Sequence, residues 1–341
     1  MRANEVVVKH SQGMTCGVNR LSLDRVVLEK VRRAATIDIG TNTVKLAVGQ
    51  VDDNNEFHLL KDASVGVRLG EGLDASGLLD PEAQERAVRA VGKHLAMAYS
   101  LNTQEISIAA TAAVRDAKNG SDFLARLKSE YDCDVRVITG EEEGGYAYRA
   151  VALDPALSQF DSCQVTVDVG GGSTEFTFGC GRSVHSTISI RLGAVRLTER
   201  YLPFETPNSR QISEAAAFVD GRLAALEQLP DIRRIVGIGG SVVNLARIWN
   251  EVPPDKTEEV HATALTEDNL AQLVEGMCAL SPDKRKTLIG LDPDRADIIV
   301  AGAVILWRVL RFFEKDQMTV SIMGFRHGLL YEMLMIGADE K

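Results

Sequence analysis

The stretch VTVDVGGGSTEFTFG, residues 165–179, decides how the rest of the chain is read. It runs an apolar strand into Asp168, turns through Gly170, Gly171 and Gly172, and leaves through a second strand that carries Glu175. Three successive glycines weaken a strand, so such a turn needs a reason for close backbone approach. A phosphate held by the backbone N–H groups, Ser173 and Thr174, with Asp168 and Glu175 on a divalent ion, uses every part of the pattern. A purely structural turn is the competing reading. An earlier segment, TIDIGTNTVKLAVG at 36–49, repeats the plan: Asp38 ends a strand, Gly40-Thr41-Asn42-Thr43 turns, and Lys45 stands on the next strand. Alone, that segment reads first as a hairpin turn with Asp and Asn in their usual roles.

Outward from these two turns the elements fall into a repeated order. Ala34–Ile39, Thr43–Val51 and Phe57–Ser64 read as three antiparallel strands. A helix follows, capped by Asp80 with Pro81 in its first position and Val88, Val91, Leu95 and Ala98 on one face. Next come a strand at Ile106–Ala110, a helix capped by Ser121 and ending near Tyr131, a strand at Val135–Ile138 and a helix at Glu142–Ala152. Beyond the Asp154-Pro155 break, Gln164–Val169, Thr174–Phe178 and Val184–Ile190 are strands. Ala194–Tyr201 and Glu214–Leu226 are helices, and Arg234–Ile238 is a strand. Strand, strand, strand, helix, strand, helix thus occurs twice, which predicts an α/β protein of two like domains facing across a cleft. The expected division is 34–155 for the first domain, 156–325 for the second, and a helix at 326–341 that packs back on the first. The almost wholly apolar Ile298–Phe313 helix is expected to be buried, and Met318–Met323 and Gly328–Leu334 close the chain as strand and helix.

Composition sets the boundaries. The chain has 341 residues with 38 Lys and Arg against 48 Asp and Glu, a net charge of -10, which disfavours a general coat of DNA or anionic membrane. Residues 1–33 carry seven basic and three acidic side chains, so the remainder stands at -14. This basic stretch lacks the continuous apolar core of a signal peptide and reads as an extension outside the fold, disordered or helical. The apolar run Ile298–Trp307 is half a membrane span and is bracketed by Asp297 and Arg308. Five scattered cysteines without CxxC predict neither a disulfide framework nor a zinc knuckle, and point to a reducing cytoplasm.

The two turns, with ITGEEEGGYAYRAV (138–151), IAATAAVRDAKNG (108–120) and IVGIGGSVVNLARI (235–248), resemble the exopolyphosphatase/guanosine pentaphosphatase family of the actin, Hsp70 and sugar-kinase superfamily. The likeness runs from Ala34 to the end of the chain. It implies the short two-domain form, with two ribonuclease-H-like domains, and Mg-dependent removal of a terminal phosphate from inorganic polyphosphate or pppGpp. Glu143, placed before Gly144, aligns with the family's catalytic glutamate and is assigned to orient or deprotonate water. Asp168 and Glu175 resemble its metal-binding acids, with Asp38 adding a water-mediated contact. Arg115 matches its phosphate-facing arginine, and Arg295 stands where relatives have a mobile cleft arginine.

Phosphoanhydride hydrolysis needs an in-line water, a group to position it, and positive charge on the transferring phosphoryl. Gly40, Thr41, Asn42, Thr43, Lys45, Gly170, Gly171, Gly172, Ser173, Thr174 and Arg295 are the candidate phosphate contacts. Gly239, Gly240 and Ser241, before a helix, resemble the superfamily's nucleoside-side loop, with a plain strand-to-helix turn as the alternative. Arg191 and Arg196 are equally readable as cleft cations or solvated surface, and Lys118 has a weaker claim. Glu141 and Glu142 read as first-turn complements to the helix dipole, and His327 as structural. No histidine is followed by Asp, and GxxxxGK[ST], HExxH and GxSxG are all missing from the sequence, so HD, P-loop, zincin and serine-hydrolase chemistries lack support. A phosphotransferase using the same cleft and a non-catalytic polyphosphate or alarmone sensor are the competing functions. A homodimer is the default assembly.

Overall fold

A computed structural model describes residues 31–54, 56–158, 163–203, 206–226 and 232–335. The expected extension therefore lies outside the described residues as far as residue 30. Its last two positions are not outside the fold: β1 spans Arg32–Ile39, and Arg33 donates from Nε to Gln50 Oε1 (3.1 Å) and from Nη1 to Leu101 O (3.0 Å). These contacts, formed with residues distant in sequence, extend the strand two residues beyond its apolar part.

The first sheet is built from β1, β2 (Thr43–Val51), β3 (Phe57–Gly66), β4 (Glu105–Ala110) and β5 (Val135–Val137). Between and after these strands come α1 (Leu73–Ser76), α2 (Pro81–Ser100), α3 (Ala112–Asp116), α4 (Gly120–Tyr131) and α5 (Gly140–Leu153). The strand order is β3-β2-β1-β4-β5, antiparallel across β1 to β3 and parallel from β1 to β5. The second sheet takes β6 (Cys163–Val169), β7 (Thr174–Cys180), β8 (Ser183–Ile190), β9 (Arg234–Ile238), β10 (Ala264–Thr266) and β11 (Gln317–Val320). Its helices are α6 (Ala194–Tyr201), α7 (Ser209–Leu223), α8 (Gly239–Trp249), α9 (Glu267–Cys278), α10 (Pro282–Arg285), α11 (Ile299–Phe312) and α12 (Phe325–Met335). With β11 in the place of β5, the order β8-β7-β6-β9-β11 repeats the first, and β10 is added antiparallel at the edge. Both sheets have the strand order of a ribonuclease-H-like fold. The repeat is embellished, since β10, α9 and α10 interrupt the second copy before α11.

Local chemistry sets the helix starts. Asp80 Oδ1 accepts from Glu82 N and Ala83 N at 2.9 Å, and Pro81 opens α2. Ser121 does not cap α4. The helix begins at Gly120, after Asn119, because a Cβ at 120 would lie 2.3 Å from Val114 O and only glycine fits the close turn out of α3. A capping box between Thr139 and Glu142 starts α5 at Gly140, two residues earlier than its acidic run suggests.

Two helices are exchanged between the sheets. The helix that closes the first copy, α5, packs on β6, β7 and β8 of the second sheet, whereas α12, which closes the second copy, packs on β1 and β2 of the first. They cross each other where a Cβ at Gly328 would fall 1.9 Å from Tyr146 O, a contact only glycine permits. Ala109, Ile138, Tyr146, Val151, Val236, Ile238, Phe325 and Leu329 form a shared core at this crossing. The outer faces have their own cores: Val88, Val91, Phe123 and Leu127 under the first sheet, and α11 with Val219, Leu245 and Leu270 under the second. A sequence boundary near Asp154-Pro155 therefore divides the chain but not the layers.

The cysteine expectation requires correction. Cys163 and Cys180 are register partners on β6 and β7, with Cα atoms 4.1 Å apart, and form a disulfide. Spacing along the sequence hid this pairing, because only the hairpin register brings positions 17 residues apart face to face. Cys133 and Cys278 carry free thiols, and the cysteine count no longer argues for a reducing compartment. Closing a loop of this length should stabilise the second lobe by about 3 kcal/mol. Cys163→Ser should lose that amount in denaturant unfolding without reductant. A dithiol reductant should bring the wild type to the level of the variant and leave the variant unchanged.

Candidate active site

The β1–β2 and β6–β7 turns are built alike. Gly40 N donates to Thr43 O and Gly170 N to Ser173 O, each at 3.0 Å, so Thr41-Asn42 and Gly171-Gly172 are the matching two-residue tips. The tips touch: a Cβ at Gly171 would lie 2.9 Å from Thr41 Cβ, and one at Gly172 would lie 2.9 Å from Thr41 Oγ1. This contact between lobes is the close approach for which the triple glycine was needed. Equivalent positions then diverge. Asp38 is paired in register with Lys45, whose Nζ lies 3.9 Å from Asp38 Oδ2, whereas Asp168 is paired with Glu175, a second carboxylate.

Helix α5 brings in a fourth acid. A Cβ at Gly140 would lie 2.3 Å from Ser189 Cβ, and one at Gly144 would lie 2.5 Å from Thr177 Oγ1, so these glycines let the first turn press against β7 and β8. Glu143, on that turn, is thereby placed where it feels the charges of Glu175, Asp38 and Asp168. Glu143 Oε2 and Asp38 Oδ1 are buried without any hydrogen-bond partner. A cavity of roughly 670 Å³ opens between the lobes onto Asp38, Glu143, Asp168, both turn tips and Lys45.

The family model for the Ppx/GppA phosphatase family matches residues 47–336. The chain belongs to this family. Exopolyphosphatase 2 of Mycobacterium tuberculosis is 30% identical over 304 residues, which cover 85% of this chain and 94% of that protein. The bifunctional 3-dehydroquinate synthase/phosphatase of Fusobacterium nucleatum is 28% identical over 302 residues, 84% of this chain, which spans only 44% of that protein's length. A crystal structure of the Aquifex aeolicus Ppx/GppA family member superposes with a TM-score of 0.76 at 30% identity, over 91% of this chain and 99% of that one.

The electrostatics of this Ppx/GppA cleft are dominated by unbalanced negative charge. Burial pushes the Glu175 carboxyl up to about 7, with the Asp168 charge adding to the rise and hydrogen bonds from Ser173 and Ser189 opposing it. Glu143 is raised well above the usual range, first by burial and then by Glu175, Asp38 and Asp168, against the pull of Arg115. Burial also raises Asp38 and Asp168 despite Lys45 and Arg326. Two of these four carboxyls keep an orphaned oxygen, and the summed charge of the four is of the kind a hard divalent cation offsets. Among the described residues, however, no three of them bring ligand oxygens within 4.8 Å of one another.

Not every candidate faces the cavity. Thr174 is fully buried and donates its hydroxyl to Leu192 O, and Ser241 donates to Val169 O at 3.3 Å, so neither hydroxyl points to a ligand. Gly239, Gly240 and Arg295 do line the cavity, with Gly239 (φ +85°) packed on Asp168 Oδ1 and the Arg295 guanidinium over Gly240. Arg115 is not part of the cavity lining; it donates to Ile138 O at 2.8 Å and its charge reaches Glu143. Arg191 and Arg196 both pair with Asp74 and Asp116 of the first lobe. Lys118 packs on Gly77, away from the cleft. Glu142 serves the cap of α5 and pairs with Arg136.

One cluster was missed. Arg326 lines the cavity and lies 2.5 Å from Asp62 Oδ2, and its charge lowers both Asp38 and Asp168. The neighbouring His327 is wholly buried; Gly324 N donates to its Nδ1, which leaves Nε2–H for Asp62 at 2.9 Å. The strand-to-helix corner was the available signal, but it drew attention to the histidine alone. Like charges opposed on one hairpin destabilise it. Glu175→Gln, which keeps the acceptor for Ser189, should therefore raise the stability of the metal-free protein by about 1 kcal/mol. It should also shrink the added thermal stability that Mg gives the wild type. A loss of metal-free stability would show that the pair is not under electrostatic strain.

Proposed function

We propose that the chain is an exopolyphosphatase that hydrolyses the terminal phosphoanhydride of inorganic polyphosphate, with Glu143 as the group that positions and deprotonates water. The observation that carries this reading is Glu143 Oε2, buried and unpartnered, on a carboxyl that burial and neighbouring acids make more basic, at the edge of a cavity lined by both turns. A protein that only binds phosphate has no use for such a group. The relatives named exopolyphosphatase support the substrate class.

The backbone N–H groups of Gly171, Gly172 and Ser173, with the Thr41-Asn42 tip opposite, would hold the terminal phosphoryl. Lys45 would supply positive charge on one side and Arg115 would keep the first turn of α5 in place through Ile138 O. Asp38, Asp168 and Glu175 would hold a magnesium ion, which when bound offsets charge on the transferring group. Arg295 lying over Gly240 narrows the loop expected to receive a nucleoside, and this favours a substrate without a base over pppGpp.

Phosphate release in the presence of Mg should be measured over ATP, pppGpp and polyphosphates of graded length. The expected result is release from polyphosphate without ADP, greatest among these substrates. Glu143→Gln should lower kcat by about a thousandfold or more with little change in melting temperature. Near-normal turnover in that variant, or a strict requirement for ADP, would sink the reading.

A further inference from the structure

The carbonyls of the triple-glycine turn are all taken from one direction. Ala194 N donates to Gly170 O (2.9 Å), Val195 N to Gly171 O (3.0 Å), and Arg196 Nε to Gly172 O (2.7 Å). The first two are ordinary, because the opening turn of α6 has unpaired N–H groups to dispose of. The third is a side chain. In a trans peptide the carbonyl and the following N–H point opposite ways. Drawing the three carbonyls toward α6 therefore turns the N–H groups of Gly171, Gly172 and Ser173 away from it. Among the described residues, no backbone carbonyl accepts from these three N–H groups. Gly193 makes the packing possible, since a Cβ there would fall 2.2 Å from Gly171 O.

The same guanidinium reaches across the cleft. Its Nη2 donates to Asp116 Oδ2 at 2.6 Å, at the end of α3, and its Nη1 pairs with Asp74 on α1. Both acids belong to the first lobe, and the Arg196 side chain is only 12% exposed. A parallel tie runs from Gly72 N to Glu199 Oε1 at 2.8 Å, so α6 meets the first lobe at two points. Three donors on one rigid fork thus connect the glycine turn, α1 and α3, an arrangement that a lysine ammonium cannot reproduce.

We propose that Arg196 is a positioning residue that makes the aim of the glycine turn depend on closure of the cleft, because Asp116 and Asp74 fix the guanidinium that holds the Gly172 carbonyl. When the lobes part, the acids withdraw, the fork loses two of its three anchors, and the Gly172–Ser173 peptide is free to rotate. The N–H of Ser173 then no longer points at the phosphoryl group. Water activation is thereby restricted to the closed state. The proposal rests on the hydrolase reading only insofar as the turn receives the transferring phosphoryl.

The test compares wild type, Arg196→Ala, Arg196→Lys, Asp74→Asn and the Arg196→Ala/Asp74→Asn double variant. Asp74 is the better partner to change, because its other cation is only the exposed Arg191 at 3.8 Å, whereas Asp116 meets Arg191 at 3.3 Å and also lies 4.0 Å from Arg115. Steady-state kinetics on short polyphosphate with Mg, amide hydrogen exchange of residues 170–174 and thermal melting are read together. Arg196→Ala should lower kcat by about thirtyfold or more, with KM changed by less than about threefold. Exchange at the glycine turn should rise, with the melting temperature shifted by only a few degrees. Arg196→Lys should recover less than about a tenth of the loss. Asp74→Asn should cost about three- to tenfold in kcat alone and add nothing to Arg196→Ala. Restoration by lysine, multiplicative losses in the double variant, or unchanged exchange at the turn would reduce Arg196 to an ordinary ion pair. If wild type releases no phosphate from any substrate, the hydrolase reading falls. Exchange at the turn still decides for or against Arg196 in that case.

Discussion

Two carboxylates set directly opposite each other on one hairpin, Asp168 and Glu175, impose the constraint from which the rest of the molecule follows. Removing like charges from water is costly unless something offsets them, and in this chain the offset comes only in part from protein. Ser173 and Ser189 donate to Glu175, and Lys45, Arg115, Arg295 and Arg326 act through space, yet burial still raises both acids. A fold that keeps this pair is arranged for a cationic ligand. The corresponding pair in the first lobe, Asp38 and Lys45, sets opposite charges 3.9 Å apart, which offsets part of the cost of burying Asp38. The duplicated hairpin thus does two different jobs through a single change of sign.

Glycine provides the geometry that charge requires. Gly140 and Gly144 seat α5 on β7 and β8, Gly171 and Gly172 admit Thr41, and Gly193 admits the glycine turn itself. A methyl group at any of these positions would hold backbone segments apart and move the acids out of register. Local stability comes instead from the capped helices and from two separate apolar cores, which leaves the cleft free to be polar and poorly satisfied. Such conflicts between local preference and final structure are concentrated at functional sites.

The sequence made the repeat legible because each copy alternates short apolar strands with helices of recognisable face, and the glycine run marked the site. Asp168 could be named from the glycine run that follows it, whereas Asp38 gained its claim from the repeat of that plan, and Glu143 was set apart from its acidic neighbours only by the family resemblance. The hydroxyls of Thr174 and Ser241 show the opposite case: each looks useful beside a phosphate turn until the pleat of β7, or the first turn of α8, points it inward. The Cys163–Cys180 bond, the Arg196 clasp and the Arg326–Asp62–His327 cluster all join positions distant in sequence, and no local pattern encodes such pairs. The exchange of α5 and α12 was hidden in the same way, since periodicity says which face is apolar but not which sheet will cover it.

That exchange governs what a part of this chain can do alone. Each sheet is closed on its inner face by a helix that belongs to the other half of the sequence. A fragment ending near Asp154 would expose the inner surface of β1 and β2, and would carry α5 with no sheet to lie on. The complementary fragment would have the mirror defect. Neither half carries the helix that covers its own sheet, so cutting the chain at its apparent midpoint would produce two adhesive pieces. The crossing at Gly328 and Tyr146 also joins the two halves at one close backbone contact, so sliding one lobe past the other there would drive the two helices into each other.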